Sequence, residues 1–153
     1  MLSFGAKKAS DYFSAAEREQ ILAAIRASER LTSGELRLFV ETKCRYVNPI
    51  DRAEEVFFGL QMEATEQRNG VLIYMAMGDR QFAIFADKGI YEAMGSAFWH
   101  QQARHIQDEF KKVHYADGVL AAIHAIGQAL ATHFPFDPHI DKNELPDDIV
   151  FGK

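Results

Sequence analysis

Cysteine and long apolar runs are both scarce in this chain of 153 residues. Cys44 is the single cysteine, which excludes an intrachain disulfide and a zinc site built from paired cysteines. The longest continuous apolar run, from Val71 to Met77, is too short to span a bilayer, and no apolar segment follows the first lysines as a secretory signal requires. These absences predict a cytoplasmic protein with no membrane insertion.

An excess of positive charge is absent as well. The formal net charge is -5, whereas nucleic-acid binding and attachment to anionic membrane surfaces both depend on clustered cations. We therefore expect no nucleic-acid partner. The chain also has no GxSxG, Walker or GxGxxG motif and no HExxH spacing. Nucleophile-elbow hydrolases, P-loop nucleotidases, dinucleotide enzymes and zinc proteases of the HExxH type thus lack their characteristic parts.

The composition that remains is that of one globular domain, with 48% hydrophobic and 25% charged residues. We assign residues 1–133 to this domain and residues 134–153 to an acidic, proline-containing C-terminal tail. The tail holds three of the four prolines and five acidic against two basic residues. We expect it to be exposed and to lie across the domain through Phe136, Ile149 and Phe151.

The hydrophobic periodicity alternates between helix and strand. Ser14 and Glu17 have the spacing of a capping box, and the pattern has a period of two from Glu35 to Glu41 and is continuously apolar from Val71. Gly78-Asp79-Arg80 then provides a turn between two apolar runs, which predicts a hairpin. The predicted helices cover about 15–30, a segment from Pro49, 90–94, 96–112 and a segment opened by Asp117-Gly118, and the predicted strands cover 35–41, 71–77 and 81–86.

This order predicts an α/β fold whose mixed β-sheet combines a parallel βαβ crossover with an antiparallel hairpin and is sandwiched between helices. The starts of the first two strands and the end of the third then share one edge of the sheet, which brings Glu35, Asn69 and Asp87 together. Each has a glycine close by in sequence, and glycine lets backbone carbonyls approach a ligand closely. Carboxylate, amide and carbonyl oxygens are the ligands of Ca²⁺ and Mg²⁺.

The sequence therefore predicts a divalent-cation site at Glu35, Asn69 and Asp87, with Glu92 and Asp117 as additional donors. The alternative is that these residues are helix caps and turn residues, which are common at the loop ends of α/β domains. At the opposite edge, Glu41, Asp51, Asp79 and Arg80 can chelate a cation or form ion pairs, although the favoured interpretation is that they are solvated loop charges. Glu35 and Glu41 are separated by the length of a strand, roughly 20 Å, which excludes a glycosidase-type carboxylate pair.

Three segments carry a family resemblance: FSAAEREQILAAIRASERLTSGELRLFVE, RNGVLIYMAMGDRQFAIFADKGI and YADGVLAAIHAIGQAL. Together they resemble the TPM domain family over about residues 11 to 133. Glu35 follows the Ser/Thr-Gly pair of that family, Asn69 opens its Asn-Gly-Val-Leu strand, and Asp117-Gly118 matches the start of its last helix. Many members have Gly-Tyr-Gly-Leu-Glu-Gly after the hairpin, where this chain has Asp-Lys-Gly-Ile-Tyr-Glu and so places Lys88 in the loop.

The resemblance implies a mixed sheet between helices, a divalent-cation site as in some members, and the acid phosphatase activity proposed for plant members. Three hypotheses follow, of which the third is purely structural and treats the domain as a scaffold for protein contact through its tail. In the first, the domain is a Ca²⁺- or Mg²⁺-binding module for contact with a protein partner or for its regulation. In the second, the same cation polarises a phosphoryl oxygen and activates water for phosphomonoester hydrolysis.

Overall fold

The computed structural model describes residues 7–139 and 149–152. A short 3-10 turn precedes the first helix. The helices of this part of the chain are α1 (Ala15–Glu29), α2 (Pro49–Gly59), α3 (Lys88–Met94), α4 (Ser96–Lys111) and α5 (Tyr115–His133), and the strands are β1 (Glu35–Glu41), β2 (Gly70–Ala76), β3 (Gln81–Ala86) and β4 (Ile149–Phe151).

The strands form one mixed sheet in the order β3-β2-β1-β4. Strands β1 and β2 are parallel with Glu35 opposite Gly70, and β3 runs back antiparallel to β2. This topology confirms the predicted fold class, because the βαβ crossover and the hairpin are both present and helices flank the sheet on its two faces.

The C-terminal segment adds a strand that the hydrophobic pattern did not predict. β4 pairs in parallel with β1, with Leu38 opposite Ile149. Phe136 remains exposed, although its backbone N–H donates to the carbonyl of Leu31 at 3.1 Å. Residues 140–148, which contain four of the five acidic residues of the predicted tail, lie outside the described residues, and the division at residue 133 stays a prediction.

Two hydrophobic cores follow from the alternation of β1. Leu36, Leu38 and Val40 face the larger core, to which α1, α3, α4 and α5 contribute. Phe39 points to the other face and packs into the smaller core with α2. Glu35 and Glu41 share the parity of Phe39, so both carboxylates belong to the α2 side of the sheet.

The helix starts show how local sequence sets boundaries. At α1 the predicted capping box is present, since the N–H of Glu17 donates to Ser14 Oγ at 3.0 Å and the N–H of Ser14 donates to Glu17 Oε1 at 2.8 Å. The last helix starts at Tyr115, two residues before the predicted opening at Asp117. Val113, with φ at 64°, reverses the chain after α4, so α5 begins immediately and Asp117 falls in its first turn.

Within the described residues, no helix combines the length and the apolar character needed to cross a membrane.

Candidate functional site

The sheet topology brings three of the predicted site residues to one rim. The backbone N–H of Glu35 donates to the carbonyl of Asn69 at 3.4 Å, and the N–H of Asp87 donates to the carbonyl of Gly70 at 2.9 Å. We call Glu35, Asn69 and Asp87 the Asn69 rim. The predicted convergence of these chain segments is therefore correct, because β1 and β2 are parallel.

All three side chains of the Asn69 rim are buried, with exposed fractions of 5% for Glu35, 2% for Asn69 and 4% for Asp87. Burying a charge is costly unless it is paired and hydrogen-bonded. Asp87 meets this condition as the cap of α3: its Oδ1 accepts from the N–H of Lys88 at 2.8 Å and its Oδ2 accepts from Arg68 Nε at 2.7 Å. Glu35 lies 3.6 Å from the guanidinium of Arg37. The helix-cap interpretation is thus correct for Asp87, and a cap remains able to bind a cation through its oxygens.

Asn69 differs from Glu35 and Asp87 because its side-chain oxygen is an unsatisfied hydrogen-bond acceptor among the described residues. Its Nδ2 donates to Ser33 Oγ at 3.4 Å, and its backbone N–H donates to Thr65 Oγ1 at 3.2 Å. The buried Oδ1 has no hydrogen-bond partner among the described residues. A buried acceptor without a donor costs about 1–3 kcal/mol. The Asn69 rim therefore contains one oxygen whose preferred environment includes a donor or a cation.

Arg68 is the partly exposed partner of the Asn69 rim. Its backbone has φ at 50°, in the left-handed region that favours glycine, so its guanidinium approaches Asp87 from a strained turn. The hydrogen bond to Asp87 raises the pKa of Arg68. Its side chain is 36% exposed, whereas the carboxylate it pairs with is buried. The Arg68 guanidinium therefore contacts solvent on one side and the buried Asp87 carboxylate on the other.

The glycines beside the rim were predicted to let backbone carbonyls approach a ligand, but in the structure they let loops of the chain pack closely. A Cβ on Gly89 would lie 2.6 Å from the carbonyl oxygen of Arg68 and closer still to that of Gln67. A Cβ on Gly70 would lie 2.9 Å from the carbonyl oxygen of Met62. The backbone of the chain itself, and not a ligand, closely approaches these glycines. They therefore allow the loops of the rim to pack closely against each other.

Asp117 does not belong to the Asn69 rim. The C-terminal half of α5 packs on the start of β1, where Leu130 accepts a hydrogen bond from Thr32 Oγ1 at 3.1 Å. Asp117 is in the first turn of the same helix, roughly 20 Å away along its axis. The sequence match to the family located Asp117 correctly on its helix but could not show which end of the helix faces this rim. Glu92, the other additional donor, is an exposed residue of α3.

Asp117 instead lies in a group that the sequence analysis missed. Ligand atoms of Glu109, His114 and Asp117 lie within 4.8 Å of one another. Glu109 is also within 3.4 Å of both His114 Nδ1 and Lys112 Nζ. His114 and Asp117 are exposed, and Lys112 already supplies a cation to Glu109. The signal available in the sequence was the close spacing of these residues around the turn between α4 and α5.

The opposite end of the sheet carries a closed network, which we call the Glu41 rim and define by Glu41, Arg52 and Tyr74. Arg52 donates through Nε and Nη2 to both oxygens of Glu41, at 2.9 and 3.0 Å, and the Tyr74 hydroxyl donates to Oε2. Glu41 is 6% exposed, so the favoured prediction of a solvated loop charge is wrong, and the alternative of an ion pair is correct. The strand alternation that places Glu41 on the α2 face was the signal for its burial.

The pKa values at the Glu41 rim follow from this network. Burial and then the hydrogen bond to Glu41 raise the pKa of Tyr74 well above its usual range. The hydrogen bond to Glu41 raises the pKa of Arg52. The hydroxyl and the guanidinium are thus held as donors to one carboxylate, and every oxygen of that carboxylate is satisfied.

A four-stranded mixed sheet with a polar rim at each end and helices on both faces defines the structural class, and the comparisons supply the family. The sequence profile of the TPM domain matches residues 7–129, so the chain belongs to the TPM domain family. The chain is 38% identical to the BA42 protein of the psychrophilic bacterium Bizionia argentinensis, with a TM-score of 0.80, and the match covers 95% of this chain and 99% of that one.

Two more distant structures share the fold. The N-terminal domain of the cg2496 protein from Corynebacterium glutamicum has a TM-score of 0.56 at 15% identity, covering 86% of this chain and 84% of that one. The N-terminal domain of a protein from P. gingivalis has a TM-score of 0.61 at 18% identity, covering 82% and 83%. No functionally curated protein matches the chain.

Proposed function

We propose that this domain binds a divalent cation, Ca²⁺ or Mg²⁺, at the Asn69 rim, and that the cation regulates contact with a protein partner. The observation that supports the proposal is the buried Oδ1 of Asn69, which has no donor among the described residues. The carboxylates of Glu35 and Asp87, on the chain segments whose backbones bond to Asn69 and Gly70, are buried as well. Hard oxygen donors of this kind are what both cations prefer.

The charges at the rim set the expected affinity. Two carboxylates, Glu35 and Asp87, lie beside two guanidinium groups, those of Arg37 and Arg68, so the rim as a whole is close to neutral. A cation that binds Asp87 competes with Arg68, whose side chain can move to solvent. We therefore expect weak and reversible binding, which suits a regulatory cation better than a permanent structural one.

Calorimetric titration of chelator-treated protein with CaCl₂ and with MgCl₂ tests the proposal. We expect a saturable heat that is lost in Asn69→Leu, which keeps the side-chain size but removes the oxygen together with the Nδ2 group that donates to Ser33. The matched control is Glu109→Gln/Asp117→Asn, which alters the other carboxylate group and should leave the heat unchanged. No heat at millimolar metal would overturn the proposal, and so would a heat that survives Asn69→Leu and disappears in the control.

The second candidate is hydrolysis of phosphomonoesters by the same bound cation. The observation that favours it is Arg68, a partly exposed guanidinium that lies against Asp87 and is suited to contact phosphoryl oxygens. The cation would supply Lewis acidity and activate water. Metal-dependent release of p-nitrophenol from its phosphate ester tests this candidate. Activity that survives both Arg68→Gln and Asp87→Asn would count against it.

A further inference from the structure

Strand β3 is an unprotected edge of the sheet. It is the outermost strand beside β2 and holds six residues, Gln81–Ala86, with no charged residue and no proline. The other edge is β4, which has only three residues. Natural sheets usually protect an edge by shortness, charge or proline, because unpaired backbone groups attract another chain. The β4 edge is short, whereas the β3 edge has none of these protections.

The register shows which backbone groups of β3 are unpaired. The N–H of Asp87 donates to Gly70, and in an antiparallel ladder the residues that pair in this way alternate. The odd-numbered residues of β3 therefore bond to β2, and Phe82, Ile84 and Ala86 direct their N–H and C=O groups away from the sheet. These groups have no hydrogen-bond partner within residues 7–139 and 149–152.

A cleft of about 390 Å³ opens at the start of this edge. It is lined by Pro49, Arg80, Gln81, Phe82, Gln107, Phe110 and Lys111. The rings of Phe82 and Phe110 meet edge to face, with centroids 5.4 Å apart, and form an apolar wall. The cleft is thus large enough to accept an apolar side chain of a segment that runs along β3.

Three basic side chains lie around the β3 edge and can pair with the acidic groups of a ligand. Arg80 and Lys111 line the cleft, and Lys88 follows the other end of β3. All three are exposed, and none forms an ion pair with another described residue. Among the described residues, no acidic side chain lines the cleft, and the neighbouring Asp79 accepts a hydrogen bond from the N–H of Cys44 at 2.8 Å. Arg80 also has φ at 52°, a strained conformation for a residue with a side chain.

We infer that β3 receives an extended acidic segment of a partner protein by strand addition. The segment pairs its backbone with Phe82, Ile84 and Ala86, places an apolar side chain in the cleft, and directs carboxylates to Arg80 and Lys111 at one end and to Lys88 at the other. Backbone pairing gives affinity in this mode of recognition, and the side-chain pocket and charges give selectivity. The inference does not depend on cation binding at the Asn69 rim.

A blocked peptide, Glu-Glu-Val-Thr-Val-Thr-Val-Glu-Glu, tests the inference on the full chain by NMR titration and amide hydrogen exchange. We expect saturable shifts confined to β3 and the cleft, and new protection of the Phe82, Ile84 and Ala86 amides. A peptide with lysine in place of each glutamate should bind at least about tenfold more weakly, as should a peptide methylated on alternate backbone nitrogens.

Two protein variants complete the test. Arg80→Glu/Lys111→Glu changes exposed residues and should weaken binding at least about tenfold without altering the fold. Ile84→Pro removes an outward N–H that β2 does not use, so the sheet should persist while protection at the edge is lost. Shifts that appear equally with the lysine peptide, or protection that does not increase at Phe82 and Ile84, would overturn the inference. So would self-association through β3 that excludes the peptide. The same titration with calcium and with chelator shows whether the cation modulates this contact.

Discussion

The two rims of the sheet contain similar residues but differ in whether all their buried polar groups are hydrogen-bonded. The Glu41 rim buries one carboxylate and satisfies it with Arg52 and Tyr74. The Asn69 rim buries two carboxylates and an amide, satisfies Asp87 through a cap and Arg68, and leaves Asn69 Oδ1 without a donor from the part of the chain that the structure describes. A completed polar network rigidifies a fold, whereas an incomplete one retains a group that a ligand can satisfy. Burial of charge alone therefore does not show whether the hydrogen bonds of a rim are complete.

The largest loss of stability is expected from a substitution that disrupts the hydrogen-bond network of the Glu41 rim. Glu41→Ala leaves Arg52 and the Tyr74 hydroxyl without their shared acceptor, and we expect the free energy of unfolding to fall by about 3 kcal/mol. The matched control is Glu55→Ala, which removes the exposed carboxylate that also pairs with Arg52 and should cost clearly less. Urea denaturation measures both, and equal losses would contradict the structural role of Glu41.

The next effect concerns the loops of the Asn69 rim. Gly89→Ala places a Cβ against the carbonyl oxygens of Gln67 and Arg68, which are backbone atoms and cannot rotate away. We expect a loss of about 2 kcal/mol and a change in the amide signals of the rim. Gly59→Ala is the control, since a Cβ there meets no atom within 4 Å and should stabilise α2 by about 0.5–1 kcal/mol. A neutral Gly89→Ala would show that the rim is looser than the structure indicates.

A smaller loss of stability is expected when the hydroxyl of Tyr74 is removed and its ring is kept. Tyr74→Phe removes one donor to Glu41 and should cost about 1 kcal/mol near neutral pH. Because the folded protein raises the pKa of Tyr74, its contribution is complete below about pH 10, the ordinary tyrosine value, and is lost as the pH rises further. The free energy of unfolding should therefore fall above that pH, and it should fall less in Tyr74→Phe. Parallel slopes for the two proteins would refute this assignment.

The smallest effect on stability is expected at Asn69 itself. In the presence of chelator, Asn69→Leu removes the unsatisfied acceptor together with the long Nδ2 hydrogen bond to Ser33, and because these two effects oppose each other we expect a change within about 1 kcal/mol. Added calcium should raise the melting temperature of the unchanged protein and have little effect on the variant, since a ligand stabilises only the state that binds it. Thermal unfolding with calcium and with chelator measures this difference. Equal calcium effects on both proteins would place any cation elsewhere.

Much of the fold was predictable because its local signals agree with its tertiary structure. The capping box at Ser14, the period of two in β1 and the turn after Met77 each correspond to an element of the structure. The convergence of Glu35, Asn69 and Asp87 was predictable as well, since a crossover and a hairpin fix the strand directions. β4 was not predicted, because three residues with no alternation carry no periodic signal.

The candidate site was only partly predictable for a related reason. Residue types and strand ends indicate which side chains share a rim, but not which partner satisfies each of them. Arg68 and Arg52 stand in unremarkable charged stretches of the sequence, and only the folded chain shows that one pairs with Asp87 and the other with Glu41. Asp117 illustrates the same limit, because the periodicity of a helix does not determine in which direction the helix crosses the sheet.

The amino-acid sequence by itself determined the TPM-type α/β fold, since apolar periodicity and turn residues act over short distances and leave few ways to arrange the strands. Only the tertiary structure decided which polar groups are satisfied, because hydrogen bonds at the rims and the pairing of β4 with β1 join residues far apart in the chain. For this reason the free oxygen of Asn69 and the open edge of β3 become visible only once the chain is folded.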